Sequence, residues 1–363
     1  MKRWRAIVVG LNHYHVTGWV GSLGQLGDRV EVVGRHDPDL ARESAPGPDH
    51  VDPNLAPVFP DSIAGTPFDT DLDRLIRETR PDVALITLSN SLAPAAIETC
   101  ARHGVHVLVD KPGARTAAEA ERTFGLARDA GIKVAVGLSR RYGRGWQEVA
   151  TLRESGRLGR LLSTEAIFVT SSVAVRDPAN LIFRRDEMGG GILHWLGIHD
   201  LDELLWLTGD RIVEVQAMTG TIGDPSIDVE DVVSASVRYE SGAIGTLHHA
   251  YALPRPGGEG WVGIRGTRGS VTIRPSGDWS WIGGASPLES VRGQNVTYDT
   301  APSTGYGATG VVVIADLLAA IEEDRQPLAT GQHIIDALRV IDAIYAAAET
   351  GQRVRVRHAA GDQ

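Results

Sequence analysis

Arg5-Ala6-Ile7-Val8-Val9-Gly10-Leu11-Asn12-His13-Tyr14-His15 decides the fold. An unbroken apolar, largely β-branched run ends in a glycine, and a polar stretch then leads into a second amphipathic segment. Such a run suits a strand covered on both faces, as in a parallel sheet. The run recurs at Val30–Val33, Val83–Ile86, Val105–Val109 and Lys133–Gly137. Helical patterns lie between the runs. Thr70 is placed to cap a helix in which Leu72, Leu75 and Ile76 share a face, and Ala95–His103 and Thr116–Ala130 are alanine-rich helices. Strand–helix alternation of this kind predicts a Rossmann-type, doubly wound α/β domain with right-handed crossovers. The segment Leu40–Pro67 breaks the rhythm and reads as a long surface loop.

After Leu138 the texture changes. A helix is expected over Arg144–Glu154, followed by strands over Leu161–Val169, Ile212–Met218, Val232–Tyr239, Ala243–Tyr251, Trp261–Arg265 and Val271–Ile273. Several alternate apolar with polar residues, the pattern of an antiparallel sheet with one exposed face. Helices are expected at Ile192–Leu207, Val311–Glu323 and Ile334–Ala348. The expectation is a dinucleotide-type domain over 1–138 and an α+β domain with a large, mostly antiparallel sheet over 139–363.

Composition narrows the function. The chain has 363 residues, 42% of them apolar, and a formal net charge of −10. That balance argues against a broad nucleic-acid surface, which needs a basic face. Asn12, His13 and His15 interrupt the only early apolar run, so no secretory leader is read there, and no stretch is apolar enough for a bilayer span. Cys100 is the one cysteine. The default expectation is a cytoplasmic enzyme or binding protein.

Gly10 stands where a dinucleotide fold places the first glycine of its phosphate loop, with the next helix offering its backbone N–H groups. Asp37 follows the second strand, roughly 20 residues past the loop, where a carboxylate accepts ribose hydroxyls. The loop departs from G-x-G-x-x-G. Asn12 takes the second glycine position, which its tolerance of left-handed backbone allows, and the bulkier His15 takes the third. His13 and His15, with no third ligand in view, read as surface or phosphate-facing groups rather than metal ligands, and no metal site is expected.

At Val109-Asp110-Lys111-Pro112 the chain resembles the (E/D)KP motif of the glucose–fructose oxidoreductase/inositol dehydrogenase/rhizopine-catabolism (Gfo/Idh/MocA) family. Further landmarks follow in family order. They are Gly137-Leu138-Ser139-Arg140-Arg141-Tyr142, Ser155-Gly156-Arg157-Leu158-Gly159, Gly189-Gly190-Gly191-Ile192-Leu193 leading to Gly197-Ile198-His199, Glu230-Asp231, and Ala337 to Tyr345. The resemblance spans nearly the whole chain. It implies an NAD(P)-dependent oxidoreductase acting on a CH–OH group of a sugar, cyclitol or sugar derivative, assembled as a homodimer or homotetramer.

The resemblance also implies the site. Lys111 and His199 are the family's catalytic lysine and histidine, which in relatives meet between the domains. The family aspartate one turn before the histidine is here Trp195, at i and i+4 from His199 on one helix face. Trp195 cannot take a proton, but it can stack on a sugar face. Trp195, Arg141 and Asp202 are the substrate-binding candidates, although Asp202 matches a family aspartate more often structural and surface placement is the safer reading for most of Arg140, Arg141, Arg184 and Arg185. Gly10, Asn12, His13, Asp37, Asn90, Asp110 and Lys111 are the cofactor-binding candidates. Asn90 keeps the family asparagine after the fourth strand, while the neighbouring proline and histidine are lost. Asp37 favours NAD, while Arg35 and His36 keep NADP as the alternative. The implied chemistry pairs His199 as base with Lys111 as the cation facing the alkoxide. The replaced aspartate keeps two alternatives in view: an NAD-retaining lyase, epimerase or glycosidase, and a non-catalytic sensor.

Overall fold

The computed structural model describes residues 2–11, 13, 15–38, 61–254, 256–283, 292–296 and 307–358. Asn12 and most of the segment read as a long loop lie outside the described residues. The chain forms two compact units. One comprises Met1–Ser139, Ala179–Gly189 and Pro302–Ile335, and the other Arg140–Pro178, Gly190–Ala301 and Asp336–Gln363. The chain therefore re-enters the first unit twice after residue 138, which a single boundary there does not capture.

In the first unit a six-stranded parallel sheet runs through β1 (Trp4–Val9), β2 (Val30–His36), β3 (Phe68–Asp69), β4 (Val83–Ile86), β5 (His106–Val109) and β6 (Val134–Val136). Its order is β3-β2-β1-β4-β5-β6. β4 is buried along its whole length, and Ile7, Val8 and Val9 of β1 are fully buried, as strands covered on both faces must be. Chain order reverses between β1 and β4, so the crevice for a ligand opens beyond the carboxyl ends of these two strands. Helices α1 (His15–Gln25), α2 (Leu72–Thr79), α3 (Ala93–Arg102) and α4 (Ala117–Asp129) connect the strands. Asp71, not Thr70, caps α2: its carboxylate accepts from Arg74 N at 3.1 Å. A later helix, Gly307–Glu322, packs against α1.

In the second unit a nine-stranded sheet has the order β14-β13-β12-β11-β7-β10-β9-β8-β15. The strands are β7 (Leu161–Thr170), β8 (Ile212–Gly220), β9 (Val232–Tyr239), β10 (Ile244–Ala250), β11 (Gly258–Gly266), β12 (Gly269–Ile273), β13 (Trp279–Gly283), β14 (Arg292–Val296) and β15 (Val354–Arg355). All neighbours are antiparallel except β7 and β10. In β9, Val233, Ala235, Val237 and Tyr239 are buried while Ser234, Ser236 and Arg238 face out, so alternation sets the register. Helices α5 (Arg144–Glu154) and α6 (Ile198–Thr208) cover the apolar face, α5 packing on β12 and α6 on β7 and β11. Among the described residues no helix is long and apolar enough to cross a membrane.

Candidate functional site

The first unit gathers its chemistry at the carboxyl ends of its strands. Gly10 follows β1 with φ +95°, and a Cβ there would sit 2.6 Å from Leu88 N and 2.8 Å from Thr87 C. Only glycine fits, because those neighbours are backbone. The close approach brings the β1 and β4 loops together at the switch point, where a dinucleotide's diphosphate is bound. Gly10→Ala is expected to destabilise the fold by roughly 1–3 kcal/mol from backbone strain alone. Gly21→Ala, inside α1 where a Cβ meets nothing within 4 Å, is expected to be neutral or to stabilise by up to about 1 kcal/mol. Urea unfolding of both variants measures the contrast, and a Gly10→Ala midpoint equal to wild type would refute the tight approach.

Asp37 follows β2 as expected but is fully buried, and its Oδ2 accepts from Leu11 N at 2.8 Å. It fastens the phosphate loop to β2 before any ribose is considered. Arg35 gives its guanidinium to the carbonyls of Ala64 and Thr66, at 3.0 and 3.3 Å. His36 is buried against Asp69 O at 2.9 Å, and burial lowers its pKa, so it is neutral at pH 7. The two groups that would attract a 2′-phosphate are thus committed elsewhere or uncharged. Asn90 donates its side-chain amide to Met188 O at 2.9 Å, and Ser91 N donates to Glu187 O at 2.9 Å, tying the β4 loop to the short helix Arg185–Met188.

Asp110 and Lys111 follow β5, and both are buried. Lys111 N donates to Asp110 Oδ1 at 3.0 Å. His15 Nδ1 lies 2.5 Å and His13 Nδ1 3.7 Å from Asp110 Oδ2. Burial works against the Asp110 charge, but His15, His13 and Lys111 outweigh it and hold the carboxyl far below the usual carboxylate range. The expectation of two histidines with no third ligand is corrected here. Asp110 arrives from a strand 95 residues away to complete a cluster. The backbone cradle at Gly10 and the N-terminus of α1 fit a dinucleotide at the switch point, with His15 where the loop pattern has its third glycine.

In the second unit the glycine-rich segment leads into a π-helical turn, Leu193–Gly197, and then α6. Trp195 therefore lies within a wider turn than an α-helix makes, a feature often found at functional sites, and His199 lies in the first turn of α6 after it. Trp195 is buried, with the Arg176 guanidinium 5.9 Å from its ring centre, and His199 is half-buried. Glu230 holds the entry to this helix. Its Oε2 accepts from Gly191 N at 2.8 Å, and its Oε1 from Tyr345 Oη at 2.8 Å and Leu193 N at 3.3 Å. A Cβ on Gly191 would lie 1.9 Å from Glu230 O, so that position admits glycine alone. His194 Nδ1 is 3.2 Å from Tyr345 Oη. Burial raises the pKa of Glu230 against these donors. Glu230 and Tyr345 both lie in stretches that resemble the family, yet nothing local to either stretch tells that they meet.

Arg140 and Arg141 are not surface arginines. Arg141 is buried and makes a two-pronged bond to Asp202, with its Nε 2.9 Å from Oδ2 and its Nη2 2.7 Å from Oδ1. Each satisfies the other, so these two candidate substrate ligands serve as each other's partners instead. Arg140 Nη1 lies 2.5 Å from both Asp200 Oδ1 and Glu203 Oε1, and His249 Nε2 is 2.7 Å from Asp200 Oδ2. Two buried carboxylates share one guanidinium. Arg140 and His249 outweigh burial at Asp200 and hold it low. Burial, with the Asp200 charge adding to it, pushes Glu203 up to about 7 despite Arg140. Glu203 thus gains a proton on folding. Its contribution to stability is full below about 4.5 and lost as pH rises through about 7. Glu203→Gln removes that loss. The stability of the variant relative to wild type is expected to grow by roughly 1–3 kcal/mol between pH 5 and pH 8 in urea unfolding. A difference independent of pH would contradict the raised pKa of Glu203.

The sheet order, the switch-point loop and the second α+β unit define a Rossmann-type, NAD-binding oxidoreductase. The chain belongs to the Gfo/Idh/MocA family: residues 5–138 match the model described as "Oxidoreductase family, NAD-binding Rossmann fold", and residues 146–272 match the "GFO/IDH/MocA C-terminal domain". Among curated relatives it is 27% identical over 290 residues to 1,5-anhydro-D-fructose reductase of Ensifer adhaerens, covering 79% of this chain and 83% of that one. It is 29% identical over 199 residues to myo-inositol dehydrogenase Hyg17 of Streptomyces leeuwenhoekii, covering 54% and 59%. Its fold matches an aldose-aldose oxidoreductase from Caulobacter crescentus with a TM-score of 0.79 at 23% identity, over 98% of this chain and 100% of that one. It also matches a levoglucosan dehydrogenase in complex with NADH, with a TM-score of 0.81 at 19% identity, over 99% and 100%.

Proposed function

We propose that this protein oxidises a secondary alcohol of a sugar or cyclitol, or runs the reverse reduction, with NAD as the hydride carrier. The observation that carries the reading is the placement of a buried Lys111 at the carboxyl end of β5, in the strand-end layer that holds the switch-point loop. The relatives named as an anhydrofructose reductase and a myo-inositol dehydrogenase support the substrate class.

The nicotinamide, when bound, accepts or returns the hydride. His199 takes the proton of the substrate hydroxyl, and Lys111 holds the developing alkoxide. Asp110 positions Lys111 by accepting its backbone N–H. Glu230 and Tyr345 fix the helix start from which Trp195 and His199 project. Trp195 offers an apolar face to a sugar ring. NAD is chosen over NADP because the buried Asp37 carboxylate after β2 disfavours a 2′-phosphate beside it while Arg35 and His36 are withdrawn.

A second reading rests on Trp195 standing where the family resemblance implies an aspartate. With no carboxylate at that position, the protein retains its dinucleotide and uses transient oxidation for elimination, epimerisation or glycoside cleavage. We also assign homo-oligomer formation to the exposed face of the large sheet, where Met218 and Ile244 are 80% and 57% exposed.

Titration with NADH and with NADPH, followed by quenching of tryptophan fluorescence, tests the cofactor assignment. Saturable micromolar binding of NADH at least tenfold tighter than NADPH is expected. Tighter NADPH binding would overturn the choice, and no binding of either would overturn the function.

A further inference from the structure

The cluster His13–His15–Asp110 carries more than the dinucleotide reading asks of it. Its three potential ligand atoms all lie within 4.8 Å of one another, and it is the group of this kind found among the described residues. His15 Nδ1 is hydrogen-bonded to Asp110 Oδ2 at 2.5 Å, and His13 Nδ1 lies 3.7 Å from the same oxygen while accepting from His15 N at 3.2 Å, a contact that a metal ion would displace. The side chains are 7%, 15% and 6% exposed for His13, His15 and Asp110. The imidazole rings meet edge to face, with centroids 4.6 Å apart and planes at 70°, so their nitrogens converge without the rings stacking.

We propose that His13, His15 and Asp110 form a binding site for a divalent transition-metal ion of the zinc class. Two imidazole nitrogens and one carboxylate oxygen are a donor set that suits zinc, cobalt or nickel and is a poor one for magnesium or calcium. Ligand bonds near 2.0–2.2 Å put tetrahedral donors about 3.3 Å apart. The His13–Asp110 separation is already close to that value, and the His15–Asp110 contact opens by just under ~1 Å, within reach of a side-chain rotation, when a cation replaces the shared proton.

The surroundings behave as outer-shell support. Lys111 N donates to Asp110 Oδ1, which turns Oδ2 toward the histidines. Gly137 leaves room on the Oδ1 side, since a Cβ there would stand 3.0 Å from that oxygen. Three protein ligands leave a fourth coordination position open for an oxygen donor, as in zinc sites that bind a further group. Lys111, buried next in sequence to a ligand, opposes a second cation and sets the expectation at micromolar affinity. The inference stands on the cluster alone and does not require the hydride-transfer reading.

The test uses the full-length, untagged protein after chelator treatment. Calorimetric titration with Zn2+ is expected to give one equivalent bound with a micromolar or tighter dissociation constant. Co2+ is expected to produce the intense visible bands of a four-coordinate ion. His13→Ala and His15→Ala are each expected to weaken Zn2+ binding by about tenfold or more. His248→Ala, at an exposed position of β10, leaves it unchanged. Wild type without stoichiometric Zn2+ binding, or with only the weak bands of six-coordinate Co2+, overturns the site. So does undiminished binding in the His13 and His15 variants. Should either variant unfold, the wild-type Co2+ spectrum decides. A parallel NADH titration with and without Zn2+ separates the two readings: metal binding with no NADH binding sinks the proposed function and leaves the metal site standing.

Discussion

Lys111→Ala and His199→Ala are each expected to lower kcat/KM by roughly 10²–10⁴-fold, with NADH affinity changed far less for His199→Ala than for Lys111→Ala. A positioned proton acceptor contributes about that factor, and a cation facing a developing alkoxide contributes about 10²–10³-fold. The pH profile separates the two roles. An imidazole base ties kcat/KM for alcohol oxidation to a group that must lose its proton, so the rate rises with pH. His199→Ala removes that limb, and Lys111→Ala keeps it at a lower level. The double variant is expected to fall short of the product of the single losses, because groups serving one transition state are not additive. Full activity in either single variant would remove that residue from the mechanism. Lys111 is buried, so a Lys111→Met variant with a wild-type unfolding midpoint distinguishes lost chemistry from lost structure.

Arg140→Ala is expected to destabilise the protein by about 3–5 kcal/mol, because it leaves Asp200 and Glu203 buried without their cation. Thermal unfolding followed by circular dichroism should show a drop of roughly 5–15 °C. The cost comes from the stranded carboxylates more than from the lost arginine. Adding Glu203→Gln to Arg140→Ala is therefore expected to recover part of the loss. Adding the further change Asp200→Asn recovers less than it would at an isolated site, since His249 already partners Asp200 at 2.7 Å. A drop below about 0.5 kcal/mol for Arg140→Ala, the range of ordinary surface changes, would mean that Asp200 and Glu203 do not depend on Arg140 for their burial.

The strands of the first sheet were legible because continuous β-branched runs have few other uses, and those of the second because alternation of period two is equally distinctive. β3, only Phe68 and Asp69, is too short to carry a pattern. β13 and β14 lie beyond the run of clear alternation and were not foreseen. The helix Gly307–Glu322 was foreseen as a helix, but its docking against α1 in the first unit is a long-range choice that its own residues do not encode. The cap of α2 moved by one residue because Thr70 and Asp71 are both competent caps, and the backbone decides between them.

The site shows the same division. Gly10 and Asp37 were singled out because each closes a recognisable strand, whereas Asp110 and Lys111 were singled out by the resemblance of their stretch to the (E/D)KP motif. Surface placement was the safer reading for most of the arginines, with Arg141 kept as a substrate candidate, because an arginine is buried only when carboxylates come to meet it. Here they come from Asp200, Glu203 and Asp202, some 60 residues on. His13 and His15 read as a pair because their third partner is 95 residues from His15. Trp195 was seen as a departure from its relatives, but the π-turn beneath it was not, since a π-turn follows from packing and leaves no period in the sequence.

The decisive measurement is NADH formation at 340 nm, made alongside quantification of the carbonyl product, with NAD+ and a panel of aldoses, anhydrosugars and inositols. One NADH per ketone or lactone formed is predicted for at least one member of the panel, with the signal abolished in the Lys111→Ala, His199→Ala double variant. Product that accumulates with no NADH would contradict net hydride transfer and place the protein among enzymes that oxidise only transiently. NADH formation that persists in the double variant would contradict the roles given to Lys111 and His199.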